Sequence, residues 1–403
     1  MRILHVIVSM NPSNGGPSQG IRNLDKVMRD RGITREVVCL DAPDSSFLGK
    51  DEFIIHALGP WTTQWRYSPK LIPWLYANIE RFDVVIINGL WIYHSYAAWK
   101  VIDDIKKKRP AEKLPRVLVM PHGMLDPYFQ RARDRWLKAI RNWVYWKLIE
   151  SKVVNDADGL LFTCQTELLL ARETFRPYHP KKEYNAGYGI QDPPKYTTQM
   201  ANAFFEQCPG VRGKPFLLFL SRIHPKKGID MLLKSYLKLY KTLKAPGGTT
   251  PRLVIAGPGW DSVYGKKLKE QLTDQASPEV KATIFPVNML TDDAKWGAFY
   301  ECEAFVLPSH QENFGIALVE ALACGKPGLI SNQVNICVEM TSEGGGIVGN
   351  DSEAGTYEAL KKWIEMTAEE KAQMSVSAKK VYLKYFTVDQ IVQNYLAAFE
   401  DVP

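Results

Sequence analysis

PSHQENFGIALVEALACGKP, residues 308–327, follows the apolar run 304–307 and carries two carboxylates eight residues apart. Glu312 falls in a loop, whereas Glu320 lies inside an otherwise apolar helical segment. An acid flanked by apolar residues must either reach solvent or be held by a hydrogen-bonding ligand. The place of this stretch in the fold decides between these two interpretations.

Length and composition predict two domains. The chain has 403 residues, of which 45% are apolar and 24% charged, and this length exceeds one compact core. No apolar run approaches the roughly 18 residues that cross a bilayer, so any membrane contact is expected to be peripheral. Six scattered cysteines favour free thiols in a reducing compartment and no structural zinc. We therefore expect a cytoplasmic protein, associated at most with the inner face of the plasma membrane. Its net charge of +7 favours anionic partners without specifying one, and no nucleic acid is expected.

Short β-rich runs alternate with helical segments, which predicts parallel sheets covered by helices on both faces. The runs 84–87 and 117–120 are continuously apolar, as is typical of strands buried on both faces. Strands are predicted at 2–9, 35–40, 83–88, 116–120, 159–163, 216–221, 252–256, 283–287, 304–307 and 328–331. Helices are predicted at 18–31, 68–81, 93–108, 228–243, 262–275, 291–300, 315–324, 354–365, 368–384 and 387–400. The expected fold class is α/β, with two Rossmann-like, doubly wound parallel-sheet domains.

The predicted domain boundaries follow the Gly and Pro content. Residues 1–190 form an N-terminal Rossmann-like domain, and 215–386 form a C-terminal one. Between them, 191–214 is rich in Gly and Pro and is predicted to be a linker containing a short helix. The terminal segment 387–403 is long enough to lie against the N-terminal domain.

Two motifs of the first half follow predicted strands, at the edge where open parallel sheets bind ligands. Gly15, Gly16 and Pro17 follow the first strand and would let backbone amides approach an anion ahead of a helix. They match neither the Walker nor the GxGxxG pattern, and a plain turn is the alternative. His122 follows the strand 116–120, where it could bind a phosphate or a sugar hydroxyl or carry a proton. The alternative is a structural histidine.

Two motifs of the second half lie at the same kind of edge. Arg222 and Lys227 would flank a helix N-terminus and provide two cations for a diphosphate, although a solvated charge cluster is the alternative. Residues 312–315 combine an acid with a turn that leads into a helix, which suits sugar hydroxyls and phosphate oxygens. Glu320 could accept two hydrogen bonds from a ribose diol.

Asp156-Ala-Asp158 has the Asp-x-Asp form that holds a divalent cation in another class of sugar transferases. It precedes a predicted strand and so lies at the amino end of the sheet, away from the ligand edge. We therefore expect no metal there.

Taken together, these motifs closely resemble the family 4 retaining glycosyltransferases, in the right order along the whole chain. The resemblance implies two Rossmann-like domains facing across a cleft, the glycosyltransferase B-type fold. It also implies a nucleotide-sugar bound mainly by the C-terminal domain and a last helix packed on the N-terminal one. The donor would be UDP- or GDP-linked, and no cofactor or metal would be required, because two basic side chains replace the cation.

The resemblance also implies residue roles. Catalytic roles fall to His122, Glu312, Arg222 and Lys227. Donor contacts fall to Gly15, Gly16, Arg222, Lys227, Asn313, Phe314, Gly315, Ile316 and Glu320. The family usually has Glu-Gly-Phe-Gly where this chain has Glu312-Asn313-Phe314-Gly315. Because Asn tolerates the left-handed backbone region, the turn can survive, but a side chain then projects near the sugar.

The implied function is retaining transfer of a hexose from a nucleotide-diphosphate sugar to a glycan or lipid-linked glycan, in cell-surface polysaccharide assembly. A nucleotide-sugar epimerase of the same fold is the nearest alternative enzyme. A non-catalytic nucleotide-sugar-binding protein is the alternative outside enzymes.

Residues 128–152 combine basic and aromatic side chains. Trp136, Ile140, Trp143, Val144 and Lys147 fall at helical spacing, among the basic residues Arg131, Arg133, Arg135, Lys138, Arg141 and Lys152. Such a helix could lie on an anionic membrane and present a lipid-linked acceptor. The alternative is a surface helix that packs its apolar stripe on the sheet.

Overall fold

The computed structural model describes residues 1–109, 114–131, 136–242 and 250–401. The chain divides into two compact units. Unit 1 contains residues 1–189 together with 388–403, and unit 2 contains residues 190–387. Parts of the predicted segments 128–152, 228–243 and 387–403 lie outside the described residues, among them Arg133, Asp134 and Arg135 of the basic segment.

Unit 1 is built on a seven-stranded, fully parallel sheet. Its strands are β1 (Arg2–Ile7), β2 (Thr34–Cys39), β3 (Ile54–Ala57), β4 (Val84–Asn88), β5 (Arg116–Met120), β6 (Gly159–Phe162) and β7 (Glu183–Asn185). Their order is β3-β2-β1-β4-β5-β6-β7. Its helices are α1 (Gly16–Asn23), α2 (Asp25–Asp30), α3 (Leu71–Asn78), α4 (Tyr93–Lys108), α5 (Tyr128–Arg131), α6 (Trp136–Tyr145), α7 (Ser151–Asp156), α8 (Gln165–Thr174) and, at the chain end, α18 (Val388–Glu400). A π-helical turn, Trp146–Glu150, joins α6 to α7.

Both faces of this sheet are covered. Alternate residues of β5 belong to different core clusters, Val117 and Val119 to one and Leu118 and Met120 to the other. Helix α18 contributes to the second cluster, where the Tyr395 hydroxyl lies 3.1 Å from the Met120 sulfur. Burial on both faces explains why the central strands are continuously apolar.

Unit 2 repeats the design with six parallel strands. They are β8 (Phe216–Leu220), β9 (Arg252–Ala256), β10 (Ile284–Val287), β11 (Ala304–Leu307), β12 (Gly328–Ser331) and β13 (Gly346–Gly349), in the order β10-β9-β8-β11-β12-β13. Its helices are α9 (Thr198–Gln207), α10 (Ile229–Thr242), α11 (Val263–Gln275), α12 (Pro278–Lys281), α13 (Asp292–Glu301), α14 (Ile316–Ala323), α15 (Cys337–Ser342), α16 (Glu353–Glu365) and α17 (Ala368–Tyr385).

Residues 191–214, predicted to be a linker, fall within unit 2. Helix α9 packs against α13 so closely that a Cβ atom on Gly297 would lie 2.0 Å from the Met200 carbonyl oxygen. The contact between two helices, rather than Gly and Pro content, therefore determines to which unit this stretch belongs.

The predicted fold class is confirmed: each unit has the strand order of a doubly wound, Rossmann-like sheet. All ten predicted strands are present, and the three that were missed, β3, β7 and β13, are edge strands with mostly half-buried residues. The predicted helix 18–31 is wrong in one respect, because the chain breaks at Leu24 into α1 and α2. Among the described residues, every helix is too short or too polar to span a lipid bilayer.

Candidate functional site

Two loops meet at the carboxyl edge of the unit 2 sheet, one after β8 and one after β11. Gly228 has a φ of +65°, and a Cβ atom there would lie 2.0 Å from the Pro308 carbonyl oxygen. In addition, the His310 N–H donates to the Lys226 carbonyl oxygen at 2.9 Å. A glycine is therefore required at 228 for the basic loop to contact the loop that carries Glu312.

At this junction the Lys227 ammonium and the Glu312 carboxylate form an ion pair. Their side chains are only 12% and 19% exposed. The backbone of Glu312 is held on both sides, because its N–H donates to Gln333 O and its carbonyl accepts from Asn335 N–H, each at 2.9 Å. The structure thus brings together two predicted site residues that are 85 positions apart in the chain.

Helix α14 begins directly after Glu312-Asn313-Phe314-Gly315. Gly315 has a φ of +81°, and no side chain caps the helix. Its first amides, beginning at Ile316, are therefore available to an anion. Phe314 is buried and packs edge-on against Phe386, with 5.5 Å between ring centroids. The left-handed residue of this turn is Gly315, and Asn313 has no positive φ, so the turn is kept without use of the tolerance of Asn for that region.

Glu320, the acid inside the apolar helix, forms an ion pair with Lys295 of α13 at 2.7 Å. The Glu320 side chain is 14% exposed and that of Lys295 is 24% exposed. The acid is thus neither fully solvated nor unpaired. The sequence does not mark Lys295 as a site residue, because it lies in a helix rather than in a loop after a strand.

Arg222 is exposed and makes no hydrogen bond or ion pair with any described residue. Burial, together with the charges of Arg222, Lys226 and Lys227, lowers the pKa of His224.

The loop is supported by a second glycine motif that the sequence analysis did not single out. The Ile223 N–H donates to Pro258 O at 2.8 Å, and a Cβ atom on Gly257 would lie 1.8 Å from Ser221 O.

In unit 1, the loop after β1 is held by a buried carboxylate that the sequence analysis missed. Asp41 accepts hydrogen bonds from the Ser9 hydroxyl at 2.6 Å and from the Met10 N–H at 2.7 Å. Gly15 then adopts a φ of +81° and Gly16 starts α1, which has no side-chain cap. The predicted glycine turn and helix start are therefore both present.

His122 follows β5 with a φ of +53°, which is rare for a residue other than glycine. Its Nε2 lies 3.2 Å from Oδ1 of Asn88, at the end of β4. Burial lowers the pKa of His122 to about 4, so the ring is neutral at physiological pH. The next residue, Gly123, is held by a hydrogen bond that its N–H donates to Glu167.

The same edge of unit 1 holds further groups whose charged forms are disfavoured by burial. Burial lowers the pKa of His94 to about 4 and raises that of Glu150 to about 7. Oε1 of Glu150 accepts from Trp91 N–H at 2.7 Å and from the Ser95 hydroxyl at 2.8 Å, while its buried Oε2 has no partner among the described residues. Burial therefore disfavours the charged forms of both the imidazole of His94 and the carboxyl of Glu150.

The Asp-x-Asp sequence serves the fold. Asp156 accepts from the Trp99 indole at 2.8 Å. Asp158 accepts from Val117 N–H at 2.9 Å and pairs with Lys181 at 2.9 Å. Across the described ranges there is no group of three or more His, Cys, Asp and Glu side chains arranged to hold a metal ion.

The apolar stripe of α6 faces solvent. Trp136, Ile140 and Trp143 are 61%, 55% and 55% exposed, and the only buried residue of the helix is Asn142. The alternative that this stripe packs on the sheet is therefore wrong. Basic side chains at Arg131, Lys138, Arg141, Lys147 and Lys152 are exposed along the same segment.

Comparison with known proteins places both units in one family. Residues 15–180 match the model of a glycosyl transferase 4-like domain, and residues 203–381 match the model of glycosyl transferases group 1. The chain belongs to the family 4 glycosyltransferases of the B-type fold. The two matched segments coincide with the two Rossmann-like units.

Curated relatives in this glycosyltransferase family match over part of their length. The D-inositol 3-phosphate glycosyltransferase of Mycobacterium marinum is 33% identical over 110 residues, covering 27% of this chain and 21% of the relative. That of Gordonia bronchialis is 24% identical over 264 residues, covering 62% of this chain and 54% of the relative. The match thus spans at most about half the length of these two relatives.

Among solved structures, the Anabaena protein HepE in complex with UDP and glucose is similar over the whole of both chains. The TM-score is 0.72 and the sequence identity is 16%. At this identity the similarity establishes the fold of the glycosyltransferase.

Proposed function

We propose that this protein is a retaining hexosyltransferase that uses a UDP- or GDP-linked sugar and needs no metal. The observation that carries the proposal is the cluster at the carboxyl edge of unit 2. There, the Lys227–Glu312 pair and the exposed Arg222 accompany the uncapped start of α14. Cations and free amides at one strand edge suit a diphosphate, and a carboxylate beside them suits sugar hydroxyls. HepE was solved with UDP and glucose on the same fold, which supports a nucleotide-sugar donor.

In this proposal Arg222 and Lys227 bind the diphosphate, and the amides from Asn313 to Ile316 share its charge. Glu312 accepts hydrogen bonds from the donor sugar. Glu320 accepts from the ribose diol while it keeps Lys295 as its partner. Preorganised donors directed at developing negative charge contribute several kcal/mol, about 3 kcal/mol for a single donor.

The reaction step follows from these roles. The bond between the anomeric carbon and the phosphate oxygen breaks, and the charge that develops on the diphosphate is stabilised by Arg222 and Lys227. The acceptor hydroxyl attacks the same face, and its proton passes to the departing phosphate oxygen. In unit 1, His122 is assigned the contact with a sugar hydroxyl, and Gly15 and Gly16 are assigned the contact with the phosphate or the acceptor.

We further propose a lipid-linked glycan as acceptor, at the cytoplasmic face of the plasma membrane, in cell-surface polysaccharide assembly. The exposed apolar face of α6, flanked by basic side chains, supports an anionic bilayer as its partner. Apolar side chains enter the interface while lysine and arginine bind anionic headgroups. Leu137 and Leu148, each 64% exposed, extend this face.

Nucleotide release from a panel of UDP- and GDP-sugars, measured with and without glycan and lipid-linked acceptors, tests the donor and the reaction. Acceptor-dependent release is expected, with the anomeric configuration of the donor kept in the product. Conversion of the sugar without acceptor would instead make the protein an epimerase, and binding without either reaction would make it a sensor.

Vesicle co-sedimentation tests the membrane contact. The protein should bind anionic vesicles more tightly than neutral ones, and salt should weaken this binding. The double variant Trp136→Gln, Trp143→Gln should bind at least about tenfold less, whereas Val376→Ser, which removes an apolar residue 65% exposed in unit 2, should bind normally. If the protein bound neither vesicle type and formed a dimer in solution, the exposed face of α6 would instead be assigned to contact with a second copy of the chain.

A further inference from the structure

Two imidazoles and a side-chain amide are among the groups that line one small cavity at the carboxyl ends of β1, β4 and β5. They belong to His5, Asn88 and His122. Asn88 stands between the two imidazoles: its Nδ2 lies 3.4 Å from Nδ1 of His5, and its Oδ1 lies 3.2 Å from Nε2 of His122. No part of the proposed transfer so far uses Asn88.

The orientation of the Asn88 amide is determined by a third contact. Nδ2 lies 3.0 Å from the Ile86 carbonyl oxygen, which can only accept a hydrogen bond. The nitrogen must therefore be on that side, since an amide oxygen there would face another oxygen. It follows that Oδ1, an acceptor, is the atom directed at His122.

This orientation determines where His122 carries its proton. An acceptor opposite Nε2 requires an N–H at Nε2, and a neutral imidazole has only one N–H. Nδ1 then keeps its lone pair. Nδ1 makes no hydrogen bond with the described residues and is not one of the fully buried atoms without a partner, so it retains some exposure.

His5 shows the opposite arrangement on the other side of the amide. Because Nδ2 of Asn88 donates towards Nδ1 of His5, the proton of His5 lies on Nε2, a buried atom without a partner among the described residues. Burial, followed by the charges of Arg35 and His122, lowers the pKa of His5 well below its usual value. A second uncharged ring therefore lies behind Asn88, and nothing there favours a cation on His122.

We propose that Asn88 is a positioning residue that holds His122 as the neutral Nε2–H tautomer, so that Nδ1 accepts a hydrogen bond from a sugar hydroxyl. This inference rests on the proposed function for the identity of the ligand. It narrows the three roles that the sequence left open for His122. With a lone pair in place of a proton, Nδ1 cannot donate a hydrogen bond to a phosphate, and the neutral His122 does not act as an acid through this atom.

Nitrogen NMR of the histidine rings tests the tautomer without any need for activity. The full chain is labelled with ¹⁵N-histidine, and His122 is assigned by its loss in His122→Gln. At neutral pH, we expect the Nε2 of His122 to be protonated and the Nδ1 to be unprotonated. An Nδ1–H tautomer, or an imidazolium, would overturn the proposal even if the protein proves to be a transferase.

Variants at Asn88 test the positioning. Asn88→Leu removes the acceptor at similar size, so the two tautomers of His122 should mix and kcat/KM for the donor should fall about tenfold. Asn88→Asp places a carboxylate beside Nε2 and should raise the apparent pKa of the His122 ring in NMR titration. An unchanged tautomer in Asn88→Leu would refute the role of Asn88, whatever the turnover.

The kinetics separate this proposal from the proposed function. If His122→Gln and Asn88→Leu reduce turnover to a similar extent and their effects do not add, the two residues act as one unit. Additive effects would contradict the proposal. Absence of transfer in the wild-type protein would overturn the proposed function but leave the tautomer measurement as a complete test.

Discussion

The two sheets present opposite chemistry at the same edge. In unit 1, His5, His94 and His122 have lowered pKa values and Glu150 a raised one, because burial disfavours their charged forms. In unit 2, Lys227 with Glu312 and Lys295 with Glu320 are partly exposed ion pairs. Burial thus disfavours charge on these groups of unit 1, whereas those of unit 2 are charged and paired.

Under the proposed function, the difference gives each sheet its own role. Diphosphates are recognised by fixed cations and free amides, which unit 2 supplies. Hydroxyl groups are recognised by neutral acceptors and donors, which unit 1 supplies. Because the two sheets share their strand order, the role of each unit depends on the side chains of the few loops that follow its strands.

The largest expected effect comes from removing the central cation of unit 2. Lys227→Ala leaves Glu312 without its partner and the diphosphate without one charge, so kcat/KM for the donor should fall about a hundredfold or more. Lys234→Ala removes an exposed lysine of α10 and should leave turnover unchanged. Near-normal turnover in Lys227→Ala, measured as nucleotide release, would contradict the site.

The ribose contact predicts a smaller effect with a specific signature. Glu320→Gln weakens acceptance from the diol, so the donor KM should rise about tenfold while kcat changes less. The wild-type protein should bind a 2′-deoxy donor more weakly than the ribose donor. Glu320→Gln should bind the two donors equally well. Glu365→Gln, a surface change on α16, is the control. A preference for ribose that survives Glu320→Gln would show that the diol is bound elsewhere.

Unit 1 predicts a pH effect on stability through Glu150. Its folded form keeps the proton up to about pH 7, whereas the unfolded chain releases it near the ordinary pKa of 4.5. The folded state therefore holds more protons in this window, and the contribution of Glu150 to stability falls as pH rises. The neutral Glu150→Gln should thus gain stability relative to wild type, by about 1 to 3 kcal/mol, between about pH 5 and pH 8.

Chemical denaturation at both pH values measures this gain, since histidine contributions cancel in the difference. Glu206→Gln, at an exposed acid of α9, should show no such trend. A stability difference for Glu150→Gln that does not change with pH would show that Glu150 is already charged in the folded protein.

The smallest effect is expected at Asn313. Its Oδ1 lies 3.3 Å from the Nδ2 of Asn335, which directs the amide beside the start of α14. Asn313→Gly restores the residue usual in the family and removes a polar group near the sugar. The ratio of kcat/KM between the best and second-best donor sugars should change by about three- to tenfold. An unchanged ratio in the donor panel would exclude Asn313 from sugar selection.

The sequence predicted the fold well, because burial on both sheet faces leaves a strong pattern. Central strands such as β4 and β11 are continuous apolar runs, and they were found with nearly correct bounds. Edge strands β3, β7 and β13 are covered on fewer sides and carry mixed residues, so no apolar run marks them. The break at Leu24 is likewise a local event without a Pro or Gly signal.

Candidate site residues that directly follow a strand were predicted from the sequence. Their partners in other elements were missed. Lys227 and Glu312 follow β8 and β11, and the structure joins them directly. Lys295 lies in a helix, and sequence spacing cannot pair it with Glu320. Asn88 ends β4, so a search of the residues at strand ends could have found it. Its role, however, depends on its distances to His5 and His122, which the sequence does not give.

Calorimetric measurement of UDP and GDP binding to the full chain tests the contrast between the two sheet edges most directly. The account predicts that Lys227→Ala weakens nucleoside diphosphate binding at least about tenfold and that the loss diminishes at high salt, while His122→Gln changes affinity less than about twofold. If His122→Gln weakened binding strongly and Lys227→Ala did not, the diphosphate would belong to unit 1 and the assignment of the two edges would be reversed.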